Sequence, residues 1–367
     1  QAGDHRQALL HARLARCGVG LHLLGTEIDK CLRHAGHQRD AFERGLPHHR
    51  HHDVELELPA RRSAHGQHLV VRIVELQRHG LASQAAGGDV DYDAQTGCYQ
   101  LSPEQAFALA DENSPAFLPG AFQVATAAIK AEGKIADAFR TGNGVGWHEH
   151  DHALFHGIER FFRTSYIGNL LQSWIPSLEG VEDTLRRGAS VADIGCGHGA
   201  STILMAQAFP ASRFVGFDYH PESVAAANER AREAGVAEHC RFEVASAKNF
   251  PGKGYDFVTI FDALHDMGDP AGASRHVLSS LAPDGVWMIV EPYAGDRVEE
   301  NLNPVGRAYY AGSTLICTPC SLSQEVGLAL GAQAGEARMR KVVKGAGFSR
   351  FRRTAQTPFN LIYEARP

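Results

Sequence analysis

The chain has 367 residues, 44% hydrophobic and 21% charged, with a formal net charge of -6. That length and apolar fraction supply material for two or three domains with a substantial core. The mild negative charge leaves no electrostatic footprint for a nucleic acid, and no run approaches the ~20 apolar residues of a membrane-spanning helix, so neither partner is expected.

Residues 1–80 are rich in His and Arg: twelve of the 21 histidines lie at or before residue 79. Such a composition is poor material for a packed helical domain. The stretch reads as a disordered or poorly packed segment, as a metal-binding tract at His48, His49, His51 and His52, or as a translation out of frame, given the abrupt change near Gly80. Alternation allows strands at Asp53–Leu58 and Val70–Leu76. The start is polar and lacks the apolar core of a secretory signal. The seven cysteines are odd in number and scattered, which suits reduced thiols in a cytoplasmic protein.

Regular patterning begins at Leu81. Asp89–Asp93 and Cys98–Ser102 alternate around a Gly-containing turn and predict a β-hairpin. Ser102-Pro-Glu-Gln105 then opens a helix, with Ser at the cap and Pro in the first turn. Helix spacing recurs over Phe122–Ala131 and Ile135–Phe139, expected as a linker and dimer surface. His148, His150 and His152, with Glu149 and Asp151, carry metal-ligating groups. An i, i+2, i+4 set does not share one helix face, so the expectation is a capped helix entrance without a metal. Trp147, His148 and Tyr166 are expected as pocket residues.

The most informative stretch is Val191-Ala-Asp-Ile-Gly-Cys-Gly-His-Gly-Ala-Ser-Thr202. Ser190–Ile194 is β-branched and apolar enough for a buried parallel strand, and Ile203–Phe209 continues as a helix. Between them Gly195, Gly197 and Gly199 allow a tight turn and the close approach of a ligand, at the end of a helix whose first N–H groups point the same way. Asp218 closes the next strand, Arg213–Asp218, where a carboxylate accepts ribose hydroxyls. Dinucleotide folds place an acid there too, and Ala200 satisfies the looser Gly-x-Gly-x-x-Ala form. Asp193, two residues before the first glycine, completes Asp-x-Gly-x-Gly-x-Gly.

With that acid the stretch resembles the class I methyltransferases that use S-adenosylmethionine. The resemblance implies that Asp193 helps hold the methionine end of the cofactor and Asp218 the ribose, with Cys196 and Tyr219 beside them. It implies backbone contacts to the adenine from Ser246 or Ala247, after a third strand at Arg241–Val244, and places Asp262 and Tyr166 at the cofactor. An aromatic face attracts a sulfonium. The hairpin near residue 95 is similar to the wing of the winged-helix dimerisation domain in front of many small-molecule O-methyltransferases.

Tyr255–Asp262 is the fourth strand. Ligands lie beyond the carboxyl ends of parallel strands, which puts Asp262, His265 and Asp266 at the site. His265-Asp-Met resembles the His-Asp-Trp segment of plant-type O-methyltransferases, implying that His265 is the catalytic base; a His also suits proton transfer near neutral pH. Glu291, closing the strand Gly285–Glu291, matches the carboxylate that orients that base. Residues 292–327 form an insert where a lid would sit, carrying Tyr293, Tyr309, Tyr310, Thr314 and the pair Cys317 and Cys320. No second Cys pair accompanies those two, so they read as buried thiols and not as a four-ligand metal site. A helix at Ala334–Gly345 and strands at Phe348–Thr354 and Asn360–Ala365 then end the chain.

The expected fold is α/β: a Rossmann-like seven-stranded sheet with a reversed C-terminal hairpin over residues 166–367, preceded at 81–165 by a mostly helical accessory domain, a degenerate winged helix. The expected activity is methyl transfer from S-adenosylmethionine to a small, apolar or aromatic acceptor by in-line displacement. No metal is expected, and a homodimer is. Two other readings stay open, a cofactor-sensing winged-helix regulator and a nicotinamide-dependent oxidoreductase.

Overall fold

The structure is a computed structural model that describes residues 78–367. The histidine tract at 48–52 and the two strands expected between residues 53 and 76 lie outside the described residues. The chain divides into two compact units, one running to Asp111 and the other from Glu112 to Pro367.

In the first unit the expected hairpin forms as strands β1 (Asp91–Asp93) and β2 (Cys98–Gln100), paired antiparallel. The Asp93 carboxylate accepts from Gln95 N at 2.8 Å and from Thr96 Oγ1 at 2.7 Å, which closes the turn. Helix α1 (Pro103–Leu109) follows. It is capped by Ser102, whose hydroxyl accepts from Gln105 N while the Gln105 side chain accepts from Ser102 N, a reciprocal capping box.

The second unit opens with three helices, α2 (Pro119–Ile129), α3 (Glu132–Thr141) and α4 (His152–Asn169). They lie in one compact unit with the sheet, so the division at residue 111 falls inside the accessory segment expected over 81–165. After α5 (Val181–Arg187) come β3 (Ser190–Ile194), α6 (Ala200–Ala208), β4 (Arg213–Asp218), α7 (Pro221–Glu233), β5 (Cys240–Val244) and β6 (Tyr255–Phe261). Then follow α8 (Pro270–Ser280), β7 (Leu281–Pro292), α9 (Pro304–Gly312), a π-helical turn (Ser313–Cys317), α10 (Thr318–Leu322), α11 (Gly335–Gly345), β8 (Arg350–Gln356) and β9 (Asn360–Arg366).

The sheet has seven strands in the order β5-β4-β3-β6-β7-β9-β8. Strand β9 runs antiparallel to both neighbours, and the other pairings are parallel. The last two strands thus insert one reversed strand, as the sequence led us to expect. Both faces are covered, which is why the central strands read as continuous apolar runs. Val191, Phe214, Phe257, Met288 and Val290 pack on one side with Trp174, Leu185 and Met205. Ala192, Ile194, Phe217, Trp287 and Ile289 pack on the other with Val277, Met339 and Val343. Among the described residues no helix is long and apolar enough to cross a membrane.

Candidate active site

The carboxyl end of β3 carries the glycine loop. Gly195 N and Cys196 N both donate to Phe217 O, at 2.8 and 3.1 Å, which pins the turn to the end of β4. One residue on, Gly197 N donates to Asp218 Oδ2 at 3.0 Å, and His220 N donates to Asp218 Oδ1 at 2.9 Å. Asp218 therefore joins the loop to the exit of β4 with one lone pair on each oxygen still available.

The glycines at 197 and 199 serve different ends. A Cβ at Gly199, where φ is +79°, would stand 2.5 Å from Cζ of Phe242, so this glycine is needed for packing. At Gly197, where φ is +51°, a Cβ would meet no atom within 4 Å. Backbone strain apart, the space above it is open to a ligand.

Asp193 is 0% exposed and does not line the cavity beside the loop. Its carboxylate accepts from Ser201 Oγ at 2.9 Å, Thr202 Oγ1 at 2.6 Å and Thr259 Oγ1 at 2.8 Å. Burial pushes its carboxyl up to about 6 against the pull of those hydroxyls. These bonds commit the Asp193 carboxylate to hydroxyls of the protein itself. Asp193 ties the start of α6 to β6 and so fixes the loop from behind.

A cavity of about 760 Å³ opens over the loop. Of the residues expected at the cofactor, Gly195, Cys196, Gly197, Asp218, Tyr219, Ser246, Ala247, Asp262 and Tyr166 line it, and Gly199 does not. Trp147 lines it as expected, and His148 does not. The opposite wall is apolar: Ala121, Val124, Ala125 and Ala128 from α2, Ile158 and Phe162 from α4, and Leu315 and Ile316 from the π-helical turn. The insert after β7 also lines the cavity, with Ala308, Tyr309 and Gly312.

At the exit of β6, Asp262 adopts a φ of 49°, uncommon for a residue with a side chain. Asn360 Nδ2 donates to its Oδ1 at 3.1 Å and Tyr166 Oη contacts Oδ2 at 3.5 Å. Burial and the neighbouring Glu291 drive its carboxyl well above the usual range. The next turn, a 3-10 helix at Leu264–Asp266, delivers His265. The ring's Nδ1 meets Glu291 Oε2 at 2.6 Å, and its Nε2 stands 3.1 Å from Asp266 Oδ1. Burial opposes a charge on this ring, but the carboxylates of Asp266 and Glu291 outweigh it and raise the pKa well above an ordinary histidine's.

The stretch from 147 to 152 forms a 3-10 turn followed by a capped helix entrance, in which Asp151 Oδ1 accepts from Ala153 N at 2.9 Å. Its imidazoles do not converge, and His152 pairs instead with Glu222 at 3.3 Å. Sequence reasoning missed two residues. His198 lines the cavity with its ring 4.9 Å from that of His156, and burial pushes it down to about 3. Cys317, read only as a buried thiol, stands beside His265 and Asp266. Fifty-two residues separate Cys317 from His265, and no spacing rule links a strand exit to a later insert.

Residues 185–337 match the family model described as a methyltransferase domain. This segment of the chain is a methyltransferase domain of class I fold. Trans-aconitate 2-methyltransferase of Escherichia coli is 33% identical over 103 residues, 28% of this chain and 38% of that protein. A Synechococcus protein is 31% identical over 102 residues, 27% of this chain and 24% of that protein. The chain thus spans well under half the length of these curated relatives. Among solved structures, human N-acetylserotonin methyltransferase is similar with a TM-score of 0.57 at 18% identity, covering 83% of each chain. An O-methyltransferase family protein from Burkholderia thailandensis gives 0.58 at 15%, over 78% of this chain and 82% of that one. These two likenesses extend the shared fold beyond the domain match.

Proposed function

We propose that the protein transfers the methyl group of S-adenosylmethionine to a hydroxyl of a small, largely apolar acceptor. The carrying observation is the pairing of an open glycine cradle over Gly197 with a buried His265–Glu291 pair under one apolar cavity. The name of the Burkholderia neighbour, an O-methyltransferase family protein, agrees with an oxygen acceptor; the trans-aconitate relative supports methyl transfer alone, since aconitate is a tricarboxylate and not an apolar hydroxyl compound.

Gly197 and Asp218 would hold S-adenosylmethionine, which would supply a sulfonium methyl group for in-line transfer to the acceptor oxygen. Asp218 has the lone pairs to accept ribose hydroxyls while its other bonds hold the loop. Phe162 and the alanines of α2 exclude water and offer the acceptor an apolar wall. Glu291 fixes the tautomer of His265 by taking the Nδ1 hydrogen. Nε2 faces Asp266 and the cavity, and the Asp266 carboxylate holds a second proton on it. An acceptor that displaces this carboxylate lets that proton leave to solvent, and the freed Nε2 then takes the acceptor's proton. Because a sulfonium methyl is already reactive, most of the acceleration comes from alignment and water exclusion. The chain is further proposed to act as a homodimer through the α2–α3 face, where Ile129 and Phe139 are 65% and 74% exposed.

Incubation with isotopically labelled S-adenosylmethionine and a panel of small phenols, carboxylic acids, amines and carbon acids tests this reading. Label should enter apolar hydroxyl compounds. Transfer only to amines or carbon acids would overturn the assignment of the base, and transfer to none would overturn the acceptor class.

A further inference from the structure

The floor of the cavity holds a second arrangement that methyl transfer does not need. His265, Asp266 and Cys317 each present one donor atom, and the three atoms lie within 4.8 Å of one another. Donor atoms of a tetrahedral zinc site stand roughly 3.3–3.6 Å apart, so Nε2 and Oδ1, already 3.1 Å apart, need almost no movement and the sulfur closes in by at most about 1 Å.

The polar groups here are short of a cation. With the Nδ1 hydrogen committed to Glu291, a neutral His265 ring turns a lone pair toward the Asp266 carboxylate. Two acceptors then face each other in a buried place. Asp266 Oδ1 and Glu291 Oε1 are both buried without a hydrogen-bond partner. Either a second ring proton or a metal ion relieves this. The Glu291–His265 bond is also the arrangement that orients a metal-bound imidazole, a carboxylate taking the far N–H while the near nitrogen binds.

We propose that His265 Nε2, the Asp266 carboxylate and Cys317 Sγ form a three-ligand site for a borderline-soft divalent cation of the zinc class, its fourth position open to the cavity. Imidazole, carboxylate and thiolate together select zinc or cobalt over magnesium or calcium. On binding, the thiol and the ring each give up one proton to solvent, and the dication balances the charges of Asp266 and the new thiolate. Occupancy takes the Nε2 used in proton transfer, so the cation inhibits turnover. That consequence alone rests on the proposed methyl transfer; the binding does not.

Cobalt(II) is the probe, titrated into the full chain, because a bound thiolate gives a charge-transfer absorption that a histidine tract cannot give. A saturable band is expected from the unaltered protein and should disappear in Cys317→Ser, while Cys98→Ser, which removes an exposed thiol, keeps it. Glu291→Gln should weaken cobalt binding by roughly 10–100-fold, as loss of an orienting partner does. No band in the unaltered protein, or a band retained in Cys317→Ser, overturns the site. If Cys317→Ser does not melt cooperatively, Asp266→Ala decides: binding at least tenfold weaker supports the site, and unchanged binding refutes it. Inhibition of methyl transfer by micromolar zinc is read separately, so a failure of the methyl-transfer reading leaves the absorption result standing.

Discussion

His265 Nδ1 and Glu291 Oε2 meet at 2.6 Å, brought together from the carboxyl ends of two adjacent parallel strands, β6 and β7. Both side chains are nearly inaccessible, at 3% and 4% exposure. A hydrogen bond to an ionised partner is worth about 1 kcal/mol more than a neutral one, and truncating one member leaves the other buried and unpaired.

From this pair follows a graded loss of turnover. His265→Ala should lower kcat toward a hydroxyl acceptor by roughly 10²–10⁴-fold, the usual worth of a general base. Glu291→Gln keeps the shape and loses the charge, so about a tenfold loss is expected, with the acid limb of the pH–rate profile moved to lower pH. S-adenosylhomocysteine affinity should be unchanged in both. If steady-state kinetics show Glu291→Gln as active as the parent over the whole pH range, Glu291 does not act on the base.

The glycine loop separates binding from packing. Gly199→Ala drives a methyl into Phe242 and should cost stability, about 1–3 kcal/mol from overpacking plus the strain of a positive φ. Gly197→Ala puts its methyl into open space at a φ of +51° and should cost only about 1 kcal/mol, yet weaken ligand binding at least tenfold. Urea unfolding beside calorimetry distinguishes the two. Equal loss of affinity without a stability difference would contradict this division.

Asp193 gives stability a pH signature. Burial raises its carboxyl to about 6 from the 3.8 of an exposed Asp, so the folded chain holds that proton more tightly than the unfolded one. Its contribution is fully present below about pH 3.8 and is lost as pH rises through 6. Relative to Asp193→Asn, the unaltered protein should therefore lose roughly 2 kcal/mol of unfolding free energy between pH 4 and pH 6.5, at about 1.4 kcal/mol per pKa unit. A pH-independent difference between the two denaturation curves would show that Asp193 is ionised throughout.

Much of the sheet was legible because its chemistry is local. Parallel strands buried on both faces read as apolar runs, and Gly-x-Gly-x-Gly at a strand end has few other uses. The pairing of His265 with Glu291 came from the resemblance, as no periodicity connects them. Two features escaped. Asp193 sits in a motif that suggests ligand contact, but whether its carboxylate turns outward or inward depends on Ser201, Thr202 and Thr259, of which Thr259 comes from another strand. Helices α2 and α4 looked like part of an accessory segment because their apolar stripes do not name a partner; in the fold they wall the cavity.

The most direct test of the central claim is calorimetric titration of the full chain with S-adenosylhomocysteine, beside an identical titration with NADH. The structure predicts single-site binding of S-adenosylhomocysteine, retained in His265→Ala, and no heat of binding from NADH. Saturable binding of NADH with none of S-adenosylhomocysteine would contradict it and return the glycine loop to the nicotinamide-dependent enzymes.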